Sequence, residues 1–254
     1  MSKPPTKTSK NPKNPAIDAP DLPDAQEIPQ LTGPMVLPMD GSKPEQIVLL
    51  LHGVGADGDD LINLATYFGK ILPKAAFIAP NAPSRFDGAP FGFQWFSLKD
   101  PSKEQKLEGV QSAAPILNGL IDHLLGEFGL KEENMAIIGF SQGAMMALHV
   151  GPRRVRPLAG IIGYSGALIG AELLPDEIKS RPPVLLMHGN LDPIVPPDFM
   201  HHAEDSLKAA GVPVAAYLCP NLGHGLDDMS IQLGMEFLAE MFGVDVLSVA
   251  GTKP

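Results

Sequence analysis

Ser141 is the centre of a glycine-flanked pentapeptide, Gly-Phe-Ser-Gln-Gly, at residues 139–143. The pattern is typical of a nucleophile elbow, a sharp turn from a strand into a helix that lifts a serine hydroxyl off a sheet. An apolar run, Met-Ala-Ile-Ile-Gly-Phe, leads into Ser141, and a helix-forming run rich in alanine and methionine follows it. A pentapeptide can also occur by chance in an ordinary glycine-rich turn, so this context carries most of the interpretation.

His224 is the predicted general base for Ser141. A serine hydroxyl is unreactive at neutral pH unless a histidine takes its proton, and an acid must hold that histidine in the right tautomer. In an α/β hydrolase the order is serine, acid, histidine, each after a later strand. His224 lies in a glycine-flanked loop after the apolar run 214–220, as this order requires. The other histidines after Ser141 lie within helical patterns or precede the acid: His149, His188, His201 and His202.

Asp192 is the predicted acid, because it follows another apolar run, residues 183–189, by three positions. In sheets of this kind, ligands bind at the loops that follow the carboxyl ends of the strands. Asp227 and Asp228 lie nearer to His224 in the sequence and remain alternatives, since local geometry decides whether a turn brings them to its ring.

Two backbone N–H groups are predicted to stabilise the oxyanion of a tetrahedral intermediate. Gln142 supplies the first by its position directly after the serine, and Val54 offers the second from the glycine-rich loop HGVGADGDD. The same loop also fits a plain glycine turn in which Asp59 or Asp60 caps a helix. Its acidic residues lack the spacing and the distal glutamate of an EF-hand loop, so we expect no metal site there.

The chain around these residues alternates between short apolar runs and amphipathic helical patterns. Six runs are apolar over nearly their whole length, as is typical of strands buried on both faces: residues 46–51, 75–80, 135–140, 159–166, 183–189 and 214–220. Helical patterns occur at residues 61–72, 109–128, 142–150, 197–210 and 230–241. This order predicts an α/β fold with a mostly parallel central sheet and helices on both faces, and the catalytic candidates favour its α/β-hydrolase version.

Four further residues have alternative interpretations. Trp95 and Phe96 lie in a long excursion between the second apolar run and the second helical pattern, where they either line a substrate pocket or pack over the core. Ser165, in Gly-Tyr-Ser-Gly, lacks the second glycine of the elbow pattern, and we interpret it as a strand end. Cys219, the single cysteine, excludes an internal disulfide and fits a buried structural thiol better than a catalytic one.

Length and composition restrict the class of protein. The chain has 254 residues, 44% of them hydrophobic, which fits a globular protein with a substantial core. Its net charge of −10 argues against nucleic acid or an anionic membrane as the main partner. The apolar runs are too short to cross a bilayer and the N-terminus has no hydrophobic signal segment, so we expect a cytoplasmic protein without an integral membrane segment.

The two ends of the chain differ from its centre. Residues 1–30 are rich in proline, and the first seventeen carry four lysines and no acid. Such a segment buries too little apolar surface to offset its ordering entropy, so we expect a disordered N-terminal arm. The hydrolase domain is predicted over residues 31–246, and residues 247–254 are predicted to form a flexible tail.

Five motifs occur in order over about residues 31–243: LLLHGVGADGDDL, APNAP, GFSQGAMMAL, HGNLDPIVP and GHGL. Together they resemble the motifs of the phospholipase/carboxylesterase family of α/β hydrolases, which includes the acyl-protein thioesterases. Five motifs in the same order are far more specific than the single pentapeptide. Members of this family hydrolyse carboxylic esters, and some hydrolyse lysophospholipids or the thioesters of acylated proteins, without a cofactor.

The resemblance implies a role for each of the five candidates. It implies Ser141 as nucleophile, Asp192 as acid and His224 as base, with the backbone N–H groups of Val54 and Gln142 as oxyanion donors. These assignments agree with those made above from chain order and local context.

The sequence therefore predicts a serine hydrolase that cleaves a small-molecule or lipid carboxylic ester through an acyl-enzyme, with no cofactor and no metal. A thioesterase acting on acylated protein or acyl-coenzyme A uses the same machinery and remains an alternative. A non-catalytic binding protein with the same fold is a third interpretation, although such a chain is expected to lack a triad residue. A homodimer is compatible with the sequence, which does not decide the oligomeric state.

Overall fold

The computed structural model describes residues 31–245. The predicted arm at residues 1–30 and the predicted tail at 247–254 lie outside the described residues. Within residues 31–245 the strands are β1 (Met35–Val36), β2 (Gln46–Leu51), β3 (Ala75–Ile78), β4 (Ser84–Arg85), β5 (Phe93–Gln94), β6 (Met135–Phe140), β7 (Gly160–Tyr164), β8 (Val184–Gly189) and β9 (Val214–Cys219). All six predicted strands are present at nearly the predicted positions.

Helices lie between most of these strands. The α-helices of the described region are α1 (Gly58–Ile62), α2 (Ala65–Phe68), α3 (Lys103–Phe128), α4 (Gln142–Val150), α5 (Leu174–Glu177), α6 (Asp198–Ala209) and α7 (Asp228–Met241). Short 3₁₀ helices occupy Glu132–Asn134, Gly151–Arg153 and Ala171–Leu173. No helix of this region is both long enough and apolar enough to cross a membrane.

A seven-stranded sheet forms the centre of the described region, in the order β1-β3-β2-β6-β7-β8-β9. All neighbouring strands are parallel except β1, which pairs antiparallel with β3. Strands β4 and β5 form a separate antiparallel pair within the excursion that follows β3. The predicted α/β fold with a mostly parallel sheet is confirmed.

Helices cover both faces of the sheet, which explains why its central strands are apolar along their whole length. In β2, Leu49 and Leu51 pack into one apolar cluster, together with side chains of α3, α4 and α6. Val48 and Leu50 point the other way, into a second cluster with side chains of α1, α2 and α7. Successive side chains of a strand point to opposite faces, so a strand between two helical layers has no polar face.

Helices α1, α2 and α3 differ most from the sequence predictions. The pattern at 61–72 forms two short helices, α1 and α2, rather than one long one. The cap of α1 is Asp57, whose side chain accepts from the Asp59 N–H, and the prediction of Asp59 or Asp60 as cap is wrong. Helix α3 begins at Lys103, six residues before the predicted start, because the Ser102 hydroxyl caps it by accepting from the Gln105 N–H.

Helix α4 packs very closely against the end of β2. A Cβ atom built on Gly143 would lie 1.9 Å from the carbonyl oxygen of Leu51, a backbone atom that no side-chain rotation can move away. By contrast, a Cβ on Gly126, in the exposed part of α3, would meet nothing within 4 Å. Substitution by alanine is therefore expected to have opposite effects at these two helical glycines.

We expect Gly143→Ala to lower the free energy of unfolding by more than about 3 kcal/mol, because the added methyl overpacks against backbone. Gly126→Ala is the matched control and should raise it by about 0.5–1 kcal/mol, because alanine loses less backbone entropy in a helix. Urea unfolding of both variants measures the two changes. Equal effects of the two substitutions would contradict the close packing of α4 on β2.

Candidate active site

Ser141 forms the turn between β6 and α4 in a strained backbone conformation. Its φ of 52° and ψ of −115° lie outside the regions that residues with a side chain normally adopt. Its N–H donates to the Tyr164 carbonyl at 2.9 Å. A Cβ on Gly139 would approach the Ala144 nitrogen to 2.5 Å, so a side chain there would prevent the turn. Strain of this kind persists only where the surrounding packing enforces it.

His224 lies between Ser141 and Asp192 and is hydrogen-bonded to both. Its Nε2 is 3.0 Å from the Ser141 Oγ, and its Nδ1 is 2.7 Å from Oδ2 of Asp192. An ionised carboxylate only accepts hydrogen bonds, so Nδ1 carries the proton and Nε2 offers its lone pair to the serine hydroxyl. The Phe140 ring packs against the imidazole with its centroid at 4.9 Å. The structure thus brings together the three side chains that the sequence selected.

Asp192 is held on both of its oxygens. Oδ1 accepts from the N–H groups of Ile194 and Val195 at 2.8 and 2.9 Å, which leaves Oδ2 for His224. Burial by itself would raise the pKa of Asp192, but the hydrogen bonds from His224, Val195 and Ile194 together hold that pKa below its usual value. The carboxyl therefore stays ionised although its side chain is fully buried.

His188 packs beside this carboxylate rather than beside the serine. Its Nε2–H donates to the Val195 carbonyl at 2.7 Å, and the same nitrogen lies 3.2 Å from Oδ2 of Asp192. His149 is also buried, and its Nδ1 contacts the Ile169 carbonyl at 3.0 Å. Neither ring is bonded to Ser141.

The two alternative acids have other positions. Asp227 caps helix α7, where its side chain accepts from the Ser230 N–H at 2.8 Å. Asp228 is exposed at the first position of that helix. Among the carboxylates of the described residues, only that of Asp192 is hydrogen-bonded to the ring of His224.

The two predicted oxyanion donors lie on either side of the serine. Gln142 is the first residue of α4, where an N–H has no partner within the helix. Val54 lies in the turn after β2, and in the described part of the chain its N–H donates to no protein acceptor. The adjacent Gly53 lies close to the nucleophile, since a Cβ there would be 3.3 Å from the Ser141 Cβ.

Trp95 and Phe96 are 2% and 5% exposed, and both belong to the apolar cluster under α3 and α4. They line a shallow space of about 330 Å³ beside α3. A larger cavity, of about 710 Å³, has a different lining. Packing over the core therefore describes these side chains, and the prediction that they line the substrate pocket has no support in the larger cavity.

The larger cavity is one that sequence reasoning missed. Its apolar lining includes Met145, Leu168, Ile169, Val195 and Phe199. Met145 lies one helical turn beyond Ser141, and Val195 is the residue whose N–H binds Asp192, so two lining residues adjoin the candidate triad although none of its three side chains lines the cavity. The sequence does show that these lining residues are apolar, but apolar residues in a buried helix and after a strand are equally typical of an ordinary core. No group of His, Cys, Asp or Glu side chains within residues 31–245 could hold a metal ion.

A parallel sheet that carries a strained serine turn, with an acid and a histidine after later strands, defines an α/β hydrolase. The family model described as Phospholipase/Carboxylesterase matches residues 35–242. The chain belongs to this family, and it is a carboxylic ester hydrolase.

Individual relatives agree with this assignment. The chain is 27% identical to the esterase YpfH of Escherichia coli (strain K12) over 196 residues, which cover 76% of this chain and 82% of the relative. It is 33% identical to acyl-protein thioesterase 1 of Schizosaccharomyces pombe over 158 residues, covering 59% and 69%. Among solved structures, esterase PE8 matches with a TM-score of 0.80 and 38% identity, covering 83% of this chain and 99% of PE8.

The lowered pKa of Asp192 implies a pH-dependent stability. At pH values near and below the ordinary pKa of 3.8, the unfolded chain binds a proton at Asp192 that the folded chain does not. The contribution of the carboxylate is therefore fully present above about pH 5 and is lost as the pH falls further. We expect Asp192→Asn, which cannot titrate there, to lose stability less steeply in urea unfolding between pH 6 and pH 3. Equal slopes for the two proteins would contradict the lowered pKa.

Proposed function

We propose that Ser141, His224 and Asp192 are the catalytic triad with which this ester hydrolase cleaves its substrate. The observation that carries the proposal is the continuous chain of hydrogen bonds from the serine hydroxyl through the imidazole to a buried carboxylate. Each side chain follows a different strand, so the three form one site only through the fold. Nothing else in the described region presents a serine, a histidine and an acid in this arrangement.

The proposed reaction has two half-reactions with the same proton carrier. His224 Nε2 takes the hydroxyl proton as Ser141 Oγ attacks the ester carbonyl, and the imidazolium is stabilised by Asp192. The tetrahedral intermediate collapses, and the alcohol leaves with the proton from His224. Water then attacks the acyl-enzyme with His224 again as base, which releases the carboxylic acid and restores the serine hydroxyl.

The negative charge of each tetrahedral intermediate needs donors that are in place before the reaction. We assign the N–H groups of Val54 and Gln142 to this task, because neither has a protein acceptor within residues 31–245. Gln142 directly follows the serine, and Val54 directly follows Gly53, which lies close to the serine. The N-terminus of α4 adds a favourable dipole, since an α-helix carries partial positive charge at this end. No metal or cofactor takes part in the proposed steps.

The large cavity supports an acyl substituent of some length as part of the substrate. The cavity has a volume of about 710 Å³, within the range of pockets that bind small organic molecules, and its lining residues Met145 and Val195 adjoin the triad. This cavity, together with the similarity to an acyl-protein thioesterase, favours a thioesterase acting on acylated protein or acyl-coenzyme A as the second candidate. The triad attacks the carbonyl in both cases, so a matched series of esters and thioesters with acyl chains of increasing length distinguishes them.

We expect Ser141→Ala to reduce kcat on p-nitrophenyl esters by about 10⁴-fold or more, because no other group can form the acyl-enzyme. Ser165→Ala is the matched control. Ser165 also follows a parallel strand with a positive φ of 49°, and its buried hydroxyl has no partner among residues 31–245, so its removal should leave kcat nearly unchanged. Fluorophosphonate labelling of Ser141 in the folded protein provides the second measurement. An unlabelled Ser141 would favour the interpretation as a non-catalytic binding protein.

We expect Asp192→Asn to reduce kcat by about 10⁴-fold, because an amide in place of the carboxylate favours the wrong tautomer of the base. Asp227→Asn tests the nearer acid and should retain most of the activity, since asparagine also caps a helix well. Steady-state kinetics of both variants on one ester gives the comparison. If Asp227→Asn had the larger effect, the assignment of the acid would be wrong.

Two features are left to measurement: whether the protein forms a homodimer, which the sequence leaves open, and the cytoplasmic location, which stays a prediction from the sequence. Size-exclusion chromatography with light scattering measures the first directly, and fractionation of cells measures the second.

A further inference from the structure

The two proposed oxyanion donors come from distant parts of the chain. Val54 follows β2 and Gln142 follows β6, while the short segment Trp95–Phe96, after β5, lies between their loops. Both N–H groups must reach the same oxyanion at about 2.7–3.1 Å. Something must therefore fix the separation of the two loops, and the hydrogen bonds of Trp95 and Phe96 run to both of them.

The side chain of Gln142 joins this segment to the nucleophile turn. It is 0% exposed, and both ends of its amide are used. Oε1 accepts from the Trp95 N–H at 2.9 Å, and Nε2 donates to the Phe96 carbonyl at 2.7 Å. The amide thus bonds to backbone groups of two consecutive residues. Because the amide is buried, the loss of either hydrogen bond would leave an unpaired polar group, which is costly, so both bonds hold the amide in place.

The same segment is bonded to the loop that carries the other donor. The indole N–H of Trp95 donates to the His52 carbonyl at 3.1 Å. The Gly55 N–H donates to the Phe93 carbonyl at 2.8 Å, on the other side of Val54. The peptide groups before and after the donor are therefore both attached to β5 and the residues that follow it.

The ring of His52 adds a further constraint on this donor. Its Nε2 accepts from the Ala82 N–H at 2.9 Å, so the proton is on Nδ1, which donates to the Gly53 carbonyl at 2.7 Å. Burial lowers the pKa of His52, although its bond to the Gly53 carbonyl opposes the shift, and the ring stays neutral. The Gly53 carbonyl and the Val54 N–H belong to one trans peptide and point in opposite directions. Fixing the direction of the Gly53 carbonyl therefore also fixes the direction of the Val54 N–H.

We propose that Trp95–Phe96 is a brace that sets the separation of the two oxyanion donors, and that the side chain of Gln142 is a positioning group that attaches this brace to the nucleophile turn. The inference rests on the proposed function, and it gives the fully buried amide a task distinct from that of the Gln142 backbone N–H. It also replaces the predicted pocket role of Trp95 and Phe96 with a positional one. A misplacement of about 1 Å at a reacting centre can reduce the rate about 10²-fold.

The test uses Gln142→Met, which keeps the backbone N–H and nearly the side-chain volume but loses both bonds to the brace. We expect kcat on a p-nitrophenyl ester to fall about 10–100-fold with KM changed less than about threefold. The Ki of a trifluoromethyl ketone, which forms a tetrahedral adduct with serine, should rise by the same factor as kcat/KM falls, because its oxyanion needs the same donors. The Ki of the corresponding methylene analogue, which has no carbonyl, should stay unchanged.

The matched control is Gln94→Met. Gln94 is also a buried amide and lies directly before the brace, but its Oε1 accepts from the Asp87 N–H at 3.2 Å, away from both donors. It should alter neither kcat nor the Ki of the ketone. Trp95→Phe removes the bond to His52 and should repeat the effect of Gln142→Met from the opposite side of the brace, so the proposal stays testable if one variant folds poorly.

The outcomes separate this inference from the proposed function. If the wild-type protein is active and labelled at Ser141, while Gln142→Met or Trp95→Phe keeps wild-type kcat and ketone affinity, the brace is wrong and the triad stands. Equal losses in Gln142→Met and Gln94→Met, with matching losses of thermal stability, would also overturn it, since they indicate a structural role alone. If the wild-type protein neither hydrolyses esters nor reacts at Ser141, the proposed function fails first.

Discussion

The turn at Ser141 is the constraint on which the rest of the site depends. A backbone with a positive φ at a serine is stable only because β6, a buried strand, enters the turn and α4 leaves it in contact with the carbonyl of Leu51. Gly139 and Gly143 make this contact feasible. Once the turn is in place, the hydroxyl lies at the carboxyl edge of the sheet, where the loops after β8 and β9 also begin. The loop after β9 then places the imidazole of His224 beside the hydroxyl, and the loop after β8 places the carboxylate of Asp192 beside the imidazole.

The hydrogen bonds of Asp192 determine how the polar groups around the imidazole of His224 are arranged. Asp192 has one oxygen saturated by two backbone N–H groups, so its other oxygen is directed at His224. That arrangement determines the tautomer of the ring and leaves its Nε2 directed at the serine. His188 contacts the same carboxylate from within β8. The polar side chains of the site are consequently paired in sequence, and among the described residues the N–H of Val54, one of the two proposed oxyanion donors, has no protein acceptor.

Much of this arrangement could be predicted from the sequence, because it follows from features that leave a local trace. Buried strands leave continuous apolar runs, and chain order selects Ser141, Asp192 and His224 from several serines, acids and histidines. The bonds of the Gln142 side chain could not be predicted, since its partners lie almost fifty residues away and are backbone groups without a residue type to recognise. The cavity was missed for a related reason, because its apolar lining has the same composition as a core.

His224, the proposed base, follows an edge strand of the sheet. Strand β9 is an edge strand, bonded on one side to β8 and open on the other, whereas the nucleophile follows a strand with neighbours on both sides. Edge elements open locally at a lower free energy than the centre of a domain does. The loop that carries His224 is therefore expected to open before the turn at Ser141 does. With His224 as the proposed base, fraying at this margin would withdraw it while Ser141 stays in its turn, and this would leave the molecule inactive yet still largely folded.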